Sequence, residues 1–194
     1  EARPEIDFAF RREKIVDVIL NAMARGKIPE RITHNDTKIN NVFIDDVTRE
    51  GICVIDLDTV MPGCALYDFG DMVRTTTSPT LEDERDLSLV QMQFPLFEAL
   101  VRGYLEAADF LTPGERRNLV LSGKLITFEI GIRFLTDFLM GDTYFKVHRE
   151  GHNLDRCRTH LKLTSDMGQQ MEEMHDIVMS IISQAETLVG RHHH

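Results

Sequence analysis

Apolar side chains at Phe10, Ile15, Val18, Ile19 and Ala22 recur at roughly helical spacing, which predicts one helix over residues 5–25 closed by Gly26. Pro29 follows, and the pattern then breaks into the polar stretch HNDTKINN at 34–41. Val42, Phe43 and Ile44 predict a short strand. Asp45, Asp46, Thr48 and Gly51 predict a turn, and Ile52 to Leu57 a second strand, so the two form a small hairpin with charged groups at its outer ends. Pro62 and Gly63 mark residues 59–65 as another turn. Pro95 opens a helix ending near Ala108. Thr112-Pro-Gly-Glu115 has the form of a capping box with Pro113 at the first helical position. The helix behind it is predicted to reach Gly141, with Leu125, Ile126, Ile130, Phe134 and Phe138 facing a core. A loop over 142–155 leads to a last helix over about 157–189, whose apolar side carries Met171, Met174, Val178, Ile181 and Leu188. Core packing accounts for these methionines better than a ligand surface, because Met fills irregular gaps. Strands are too few for a doubly wound sheet, so the expected class is mainly α (α+β) with one small β-hairpin.

Charge changes this picture by exclusion. Asp and Glu number 32 against 22 Lys and Arg, a net charge of -10. Double-stranded nucleic acid is a poor partner for such a chain, since phosphate binding favours basic surface. No apolar run approaches membrane-spanning length, and the N-terminus has no signal-peptide pattern. Cys53, Cys64 and Cys157 fit no paired ligand spacing and read as reduced thiols, which points to the cytoplasm. Arg191 and the three terminal histidines read as a tag remnant and take no part in site reasoning.

The hairpin ends hold the chemistry. An antiparallel hairpin returns the end of its second strand to the start of its first, which brings Asn41 toward Asp56, with Asp36 alongside in the preceding loop. Carboxylate and amide oxygens are hard ligands suited to Mg²⁺ when phosphates complete the shell. Asp58, two residues beyond Asp56, shares its face if the strand continues. Asp and Asn also serve as ordinary turn and cap residues. Taken singly each is better explained that way; four polar groups converging on adjacent strand ends are not.

The stretches THNDTKINNV at 33–42 and VIDLDTVMPG at 54–63 resemble the catalytic core of the aminoglycoside phosphotransferase and choline kinase superfamily, itself related to protein kinases. YDFGDMVRT at 67–75, RFLTDFL at 133–139 and DTYFKV at 142–147 are similar to the N-acetylhexosamine 1-kinase group, and the likeness runs from about residue 5 to 189. The resemblance implies the helical C-terminal lobe of a protein-kinase-like fold over residues 1–190. It implies ATP-dependent phosphoryl transfer to a sugar hydroxyl, the anomeric hydroxyl of an N-acetylhexosamine, with Mg²⁺. Asp36 matches the catalytic aspartate that takes the proton of the attacking hydroxyl. Asn41 and Asp56 match the Mg²⁺ ligands, with Asp58 a further acid. Lys38 matches a lysine near the transferred phosphoryl group, where many antibiotic-modifying relatives have His. His34 matches the residue that braces the loop. The literal Asp-Phe-Gly at 68–70 lies twelve residues beyond Asp56 and past a Pro-Gly turn. Asp68, Asp71 and Arg74 are therefore expected to brace the catalytic loop or cap a helix, and Glu82 to Asp86 to form a solvated acidic loop. Arg133 and Tyr144, and more weakly Asp137, are the sugar-binding candidates. Each has a plain alternative: Arg133 pairing with an acid, Tyr144 anchoring the loop.

No Gly-x-Gly-x-x-Gly occurs, and no apolar strand precedes residue 34 with a phosphate-pairing lysine. The resemblance thus implies a nucleotide-binding N-terminal lobe absent from this sequence, an apolar surface where it docks, and a tendency of this lobe to self-associate and be inactive alone. Two other functions stay open: a noncatalytic module that binds a sugar or a protein, and a metal-dependent phosphate hydrolase using the same acids on water.

Overall fold

A computed structural model describes the backbone of residues 1–191 and the side chains of residues 1–185; the three terminal histidines and the side chain of Leu188 lie outside the described residues. The expected first helix is two. Helix α1 spans Arg3–Phe10 and α2 spans Asp17–Ala24, with a 3₁₀ turn at Glu13–Ile15 between them. The charged run Arg11 to Lys14 offers no apolar side chain to hold a continuous helix. Arg12 leaves helical geometry and stacks its guanidinium 3.5 Å from the Phe8 ring centre. The break lets α1 and α2 serve different cores: Phe8 packs on one cluster and Ile19 is buried in the other. Gly26 ends α2 with φ at 68°, as a helix-stopping glycine should.

The hairpin forms where the alternation predicts it, from β2 (Val42–Ile44) and β3 (Gly51–Val54), with Val42 opposite Val54 and Phe43 opposite Cys53. Strand β3 stops before the expected Leu57. Asp56 takes a left-handed backbone, φ 64° and ψ 50°, and Leu57–Thr59 turns as a 3₁₀ segment. A second ribbon was not expected: β1 (Arg31–Thr33) pairs antiparallel with β4 (Met61–Gly63), Ile32 facing Pro62. Pro62 reads as a breaker, yet a two-stranded ribbon is all edge and tolerates a missing N–H.

Helices α3 (Ala65–Thr76), α4 (Phe94–Ala107), α5 (Pro113–Leu139), α6 (His152–Gln169) and α7 (Met171–Arg191) make the body. The expected last helix is split at Gln170, and its first half starts earlier, behind Gly151 with φ at 69°. The capping box at α5 is present: Thr112 Oγ1 accepts the Glu115 N–H and Glu115 Oε2 accepts the Thr112 N–H. Glu115 also takes a two-pronged pair from Arg31 at 2.7 and 2.9 Å, which fastens the β1–β4 ribbon to the start of α5.

Helix α5 is the axis, with α3 along one side and α6 along another. The main core gathers Leu66, Phe69, Phe97, Leu119, Leu125, Met167 and Met174; a smaller one gathers Phe128, Phe134, Leu154 and Leu161. Each fully buried Phe or Leu stabilises by about 1.5–3 kcal/mol. Met174, Val178 and Ile181 are buried, as core packing requires. Two glycines set the α3–α5 approach. A Cβ on Gly70 would lie 2.5 Å from the Ser122 carbonyl oxygen, and one on Gly123 would lie 2.8 Å from Val73. The β2–β3 hairpin, by contrast, buries little: Phe43, Ile44, Val47, Ile52 and Val54 are all exposed, Val47 at 90%. Among the described residues no helix is long and apolar enough to cross a membrane.

Candidate active site

The loop carrying Asp36 joins β1 to the 3₁₀ turn Ile39–Asn41, and α3 holds its backbone. The Asp68 carboxylate accepts the N–H groups of His34 and Asn35, each at 2.8 Å, and the Asp68 carbonyl accepts the Thr37 hydroxyl at 2.6 Å. Two turns further on, Thr75 Oγ1 accepts the Ile39 N–H. Burial pushes the Asp68 pKa up, the two N–H donors pull it down, and the net direction is upward. His34 Nδ1 accepts the Asp36 N–H at 3.3 Å while Nε2–H donates to the Ile55 carbonyl at 2.9 Å, so these partners assign the tautomer and tie the loop to the end of β3. Thus Asp68 and His34 brace the loop.

Asn35 was not singled out from sequence. It sits at φ 64°, and its amide donates to the Thr33 and Thr59 carbonyls. Its side chain lies where a Cβ on Gly63 would collide with Asn35 and Thr33. Gly63, at the end of β4, therefore makes room for the residue that ties the Asp36 loop to the Asp56–Thr59 turn.

Asp36 Oδ2 accepts Lys38 Nζ at 2.8 Å and Asn41 Nδ2 at 2.9 Å; the same Asn41 nitrogen reaches the Asp36 carbonyl at 2.8 Å. Burial raises the Asp36 pKa, but the hydrogen bonds from Lys38 and Asn41 and the Lys38 charge outweigh it, and the group lies below its ordinary value. It is an ionised carboxylate whose Oδ1 carries no hydrogen bond among the described residues.

Asn41 is buried, and its carbonyl accepts the Ile55 N–H at 2.9 Å, which sets it beside the end of β3. Asp58 comes beside Asp56 through the 3₁₀ turn, not by strand alternation. A hydrogen bond shared with Asp58, then desolvation and the charges of Asp58 and Asp36, raise the Asp56 pKa. Adjacent carboxylates of this kind repel, which is why the charged form of Asp56 is disfavoured. Among the described residues no three His, Cys, Asp or Glu side chains group closely enough to hold a metal by themselves.

Asp36 and Lys38 line a cleft of about 900 Å³ together with Arg133 and Tyr144; Asn41, Asp56, Asp58 and Asp137 are not among its lining residues. The Arg133 guanidinium lies 5.9 Å from the Tyr144 ring and 5.5 Å from the Phe145 ring. Asp137 does something other than face a ligand. Only 4% exposed, it accepts the N–H groups of Thr143, Tyr144 and Phe145 and the Asn153 amide, all within 2.9 Å. Burial raises its pKa and these donors lower it further, so the carboxylate stays charged while it shapes the loop.

Among the described residues Asp71 and Arg74 make no side-chain hydrogen bond or ion pair to the Asp36 loop. They pair with each other at 2.8 Å inside the helix, and Arg74 reaches across to Glu82 and to His160 Nε2, each at 3.2 Å. The Glu82–Asp86 segment is correspondingly not a free acidic loop. Asp83 pairs with Arg149 at 3.0 Å, and the Glu84 carbonyl accepts Thr159 Oγ1. Spacing along the chain shows the Asp71–Arg74 pair, but not the partners that come from α6 and the loop before it. Burial and then the Arg74 charge drive the His160 pKa down to about 3.

Residues 1–113 match the Phosphotransferase enzyme family, APH. The matched segment holds the Asp36 loop, both ribbons, α3 and α4 and stops where α5 begins, so Arg133 and Tyr144 lie beyond it. With more than half its length in that match, and with the Asp36 loop inside it, the chain belongs to the APH phosphotransferase family.

Proposed function

We propose that the chain is the helical, acceptor-binding lobe of a phosphotransferase that moves the terminal phosphoryl group of ATP to a sugar hydroxyl, in the sharpest form the anomeric hydroxyl of an N-acetylhexosamine. The observation that carries the reading is the ionised Asp36, held by Lys38 and Asn41 and opening on the cleft that Arg133 and Tyr144 also line. Asp36 would accept the hydrogen bond of the attacking hydroxyl and take its proton, a role that needs a charged carboxylate with a free oxygen. Lys38 would stabilise charge spread over the phosphoryl oxygens. Asn41, Asp56 and Asp58 fit Mg²⁺, which when bound would neutralise charge on the phosphates. Arg133 has directed donors for hydroxyl or acetamide oxygens, and Tyr144 a flat apolar face.

The exposed β2–β3 hairpin supports the second half of the reading. A two-stranded ribbon with apolar side chains on both faces is marginal in water, and a nucleotide-binding lobe docked there would cover it. ATP as donor goes with a cytoplasmic setting. The test is product analysis on the protein joined to its nucleotide lobe, given ATP, Mg²⁺ and an N-acetylhexosamine. ADP and sugar phosphate should appear in equal amounts. Free phosphate without sugar phosphate would make it a hydrolase, and sugar binding without either product a binding module.

A further inference from the structure

The charge of the cleft is opposite to that of the chain. In a protein of net charge -10, five cationic side chains line the cleft against two carboxylates, Asp36 and Glu82. Three of the five are engaged. Lys38 pairs with Asp36, Arg74 with Asp71 and Glu82, and Arg156 Nε lies 3.6 Å from Glu82. The other two, Arg133 on α5 and Lys146 on the loop after it, form no ion pair among the described residues. Glu129, one turn before Arg133, feels its charge without pairing, and burial pushes the Glu129 carboxyl up toward its neutral form. The Arg133 guanidinium lies 5.9 Å from the Tyr144 ring centre and 5.5 Å from the Phe145 ring centre, within reach of cation–π attraction, and no acid among the described residues neutralises it. Isolated surface cations are commonplace. Two uncompensated ones converging on the same concave site as the catalytic-loop carboxylate are a field that raises the local concentration of anions.

We propose that the acceptor carries an oxyanion substituent, a carboxylate or a phosphate, besides the hydroxyl that is phosphorylated, and that Arg133 and Lys146 seat it. The proposal rests on the reading of this cleft as the acceptor site. Planar bidentate recognition by Arg133 suits either oxyanion, and Lys146 adds a point charge. A neutral sugar would leave both cations without a counter-charge, whereas an acidic one would be drawn in with a salt-sensitive advantage.

The experiment is calorimetric titration of the chain, without nucleotide, with three sugars: a neutral N-acetylhexosamine, its 6-carboxylate counterpart and its 6-phosphate. At low salt at least one acidic sugar should bind roughly tenfold tighter than the neutral one, a range ordinary for one directed charged contact. Which acid wins names the substituent. Arg133→Gln and Lys146→Gln should each remove most of that advantage, and Lys146→Arg should keep it. Equal binding of all three sugars would overturn the proposal, as would an acidic preference that survives in the Arg133→Gln, Lys146→Gln double variant. If a parallel titration with ATP weakens in these variants while sugar binding does not, the cations serve the nucleotide and the proposal is likewise overturned. Its fate is separable from that of the kinase reading. Acidic preference in binding without phosphoryl transfer would sink the kinase and leave this inference standing. Transfer to the neutral sugar with no acidic preference would do the reverse.

Discussion

Asp36 and Asp137 are two carboxylates with depressed pKa values and different work. Asp36 commits Oδ2 to Lys38 and Asn41 and keeps Oδ1 open on a cleft, whereas Asp137 gives both oxygens to backbone and amide donors. Asp36→Asn in the lobe-complete enzyme should therefore lower kcat by about 10²–10⁴ with little change in sugar KM, since it removes a proton acceptor and keeps the shape. Steady-state kinetics check this, and a kcat within threefold of wild type would defeat the base assignment. Asp137→Ala should instead reduce stability by about 2–4 kcal/mol, because it strands several buried donors at once. A denaturant titration reads that loss directly. The Asp36–Asn41 contact was legible because the two lie five residues apart on the loop entering the hairpin. The contacts of Asp137 were not, because its donors sit at 143, 144, 145 and 153, positions that no helical or strand period marks.

Helix α3 decides how firmly the Asp36 loop is held, and the fit of α3 on α5 decides where α3 lies. Gly70→Ala should push a methyl against the Ser122 carbonyl and reduce stability by about 1–3 kcal/mol, with a loss of activity beyond what unfolding explains, because Asp68 and Thr75 would move with the helix. Thermal melts alongside activity at a temperature where the variant is folded would show it, and unchanged activity there would mean that α3 does not set the loop. On the other flank, α6 offers a pH test through His160, faced by Arg74, Arg156 and Glu82. Its folded pKa, about 3, lies below the unfolded value of 6.5. Between those values the unfolded chain binds a proton that the folded one refuses, so stability rises with pH across the window and the contribution is complete above 6.5. The slope approaches about 1.4 kcal/mol per pH unit for this one group. Denaturation midpoints from pH 4 to 7 should climb less steeply in His160→Gln; parallel curves would mean His160 titrates normally. The α3–α6 link was invisible in sequence because the Glu82 run looks solvated until α6 packs under it. The two misjudged helices have a related cause. Apolar spacing is helical on both sides of Arg11–Lys14 and of Gln170, so the pattern reads across each break, and the division of labour between two cores, or between α6 and α7, places the breaks there.

Across the molecule, apolar burial is unevenly distributed. The α3–α5–α6 body buries its large side chains, while the β2–β3 hairpin leaves Phe43, Ile52 and Val54 more than half exposed on a ribbon with two open edges. Such a ribbon is poorly protected by itself and offers both an apolar surface and unpaired backbone groups to a partner. The chain alone should therefore self-associate as its concentration rises, and Phe43→Lys with Ile52→Lys should restore the monomer without changing the melting of the helical body. The two positions are solvent-facing, so the charges meet no core. Net charge works against association, since copies at -10 repel each other. Added salt should consequently strengthen association of the wild type by screening that repulsion, and should do little for the double-lysine variant. Sedimentation velocity at two ionic strengths measures both effects. A wild-type monomer at every concentration and salt would show that the hairpin is no docking face, and would remove the main structural support for a nucleotide lobe seated there while leaving the Asp36 cleft as it is.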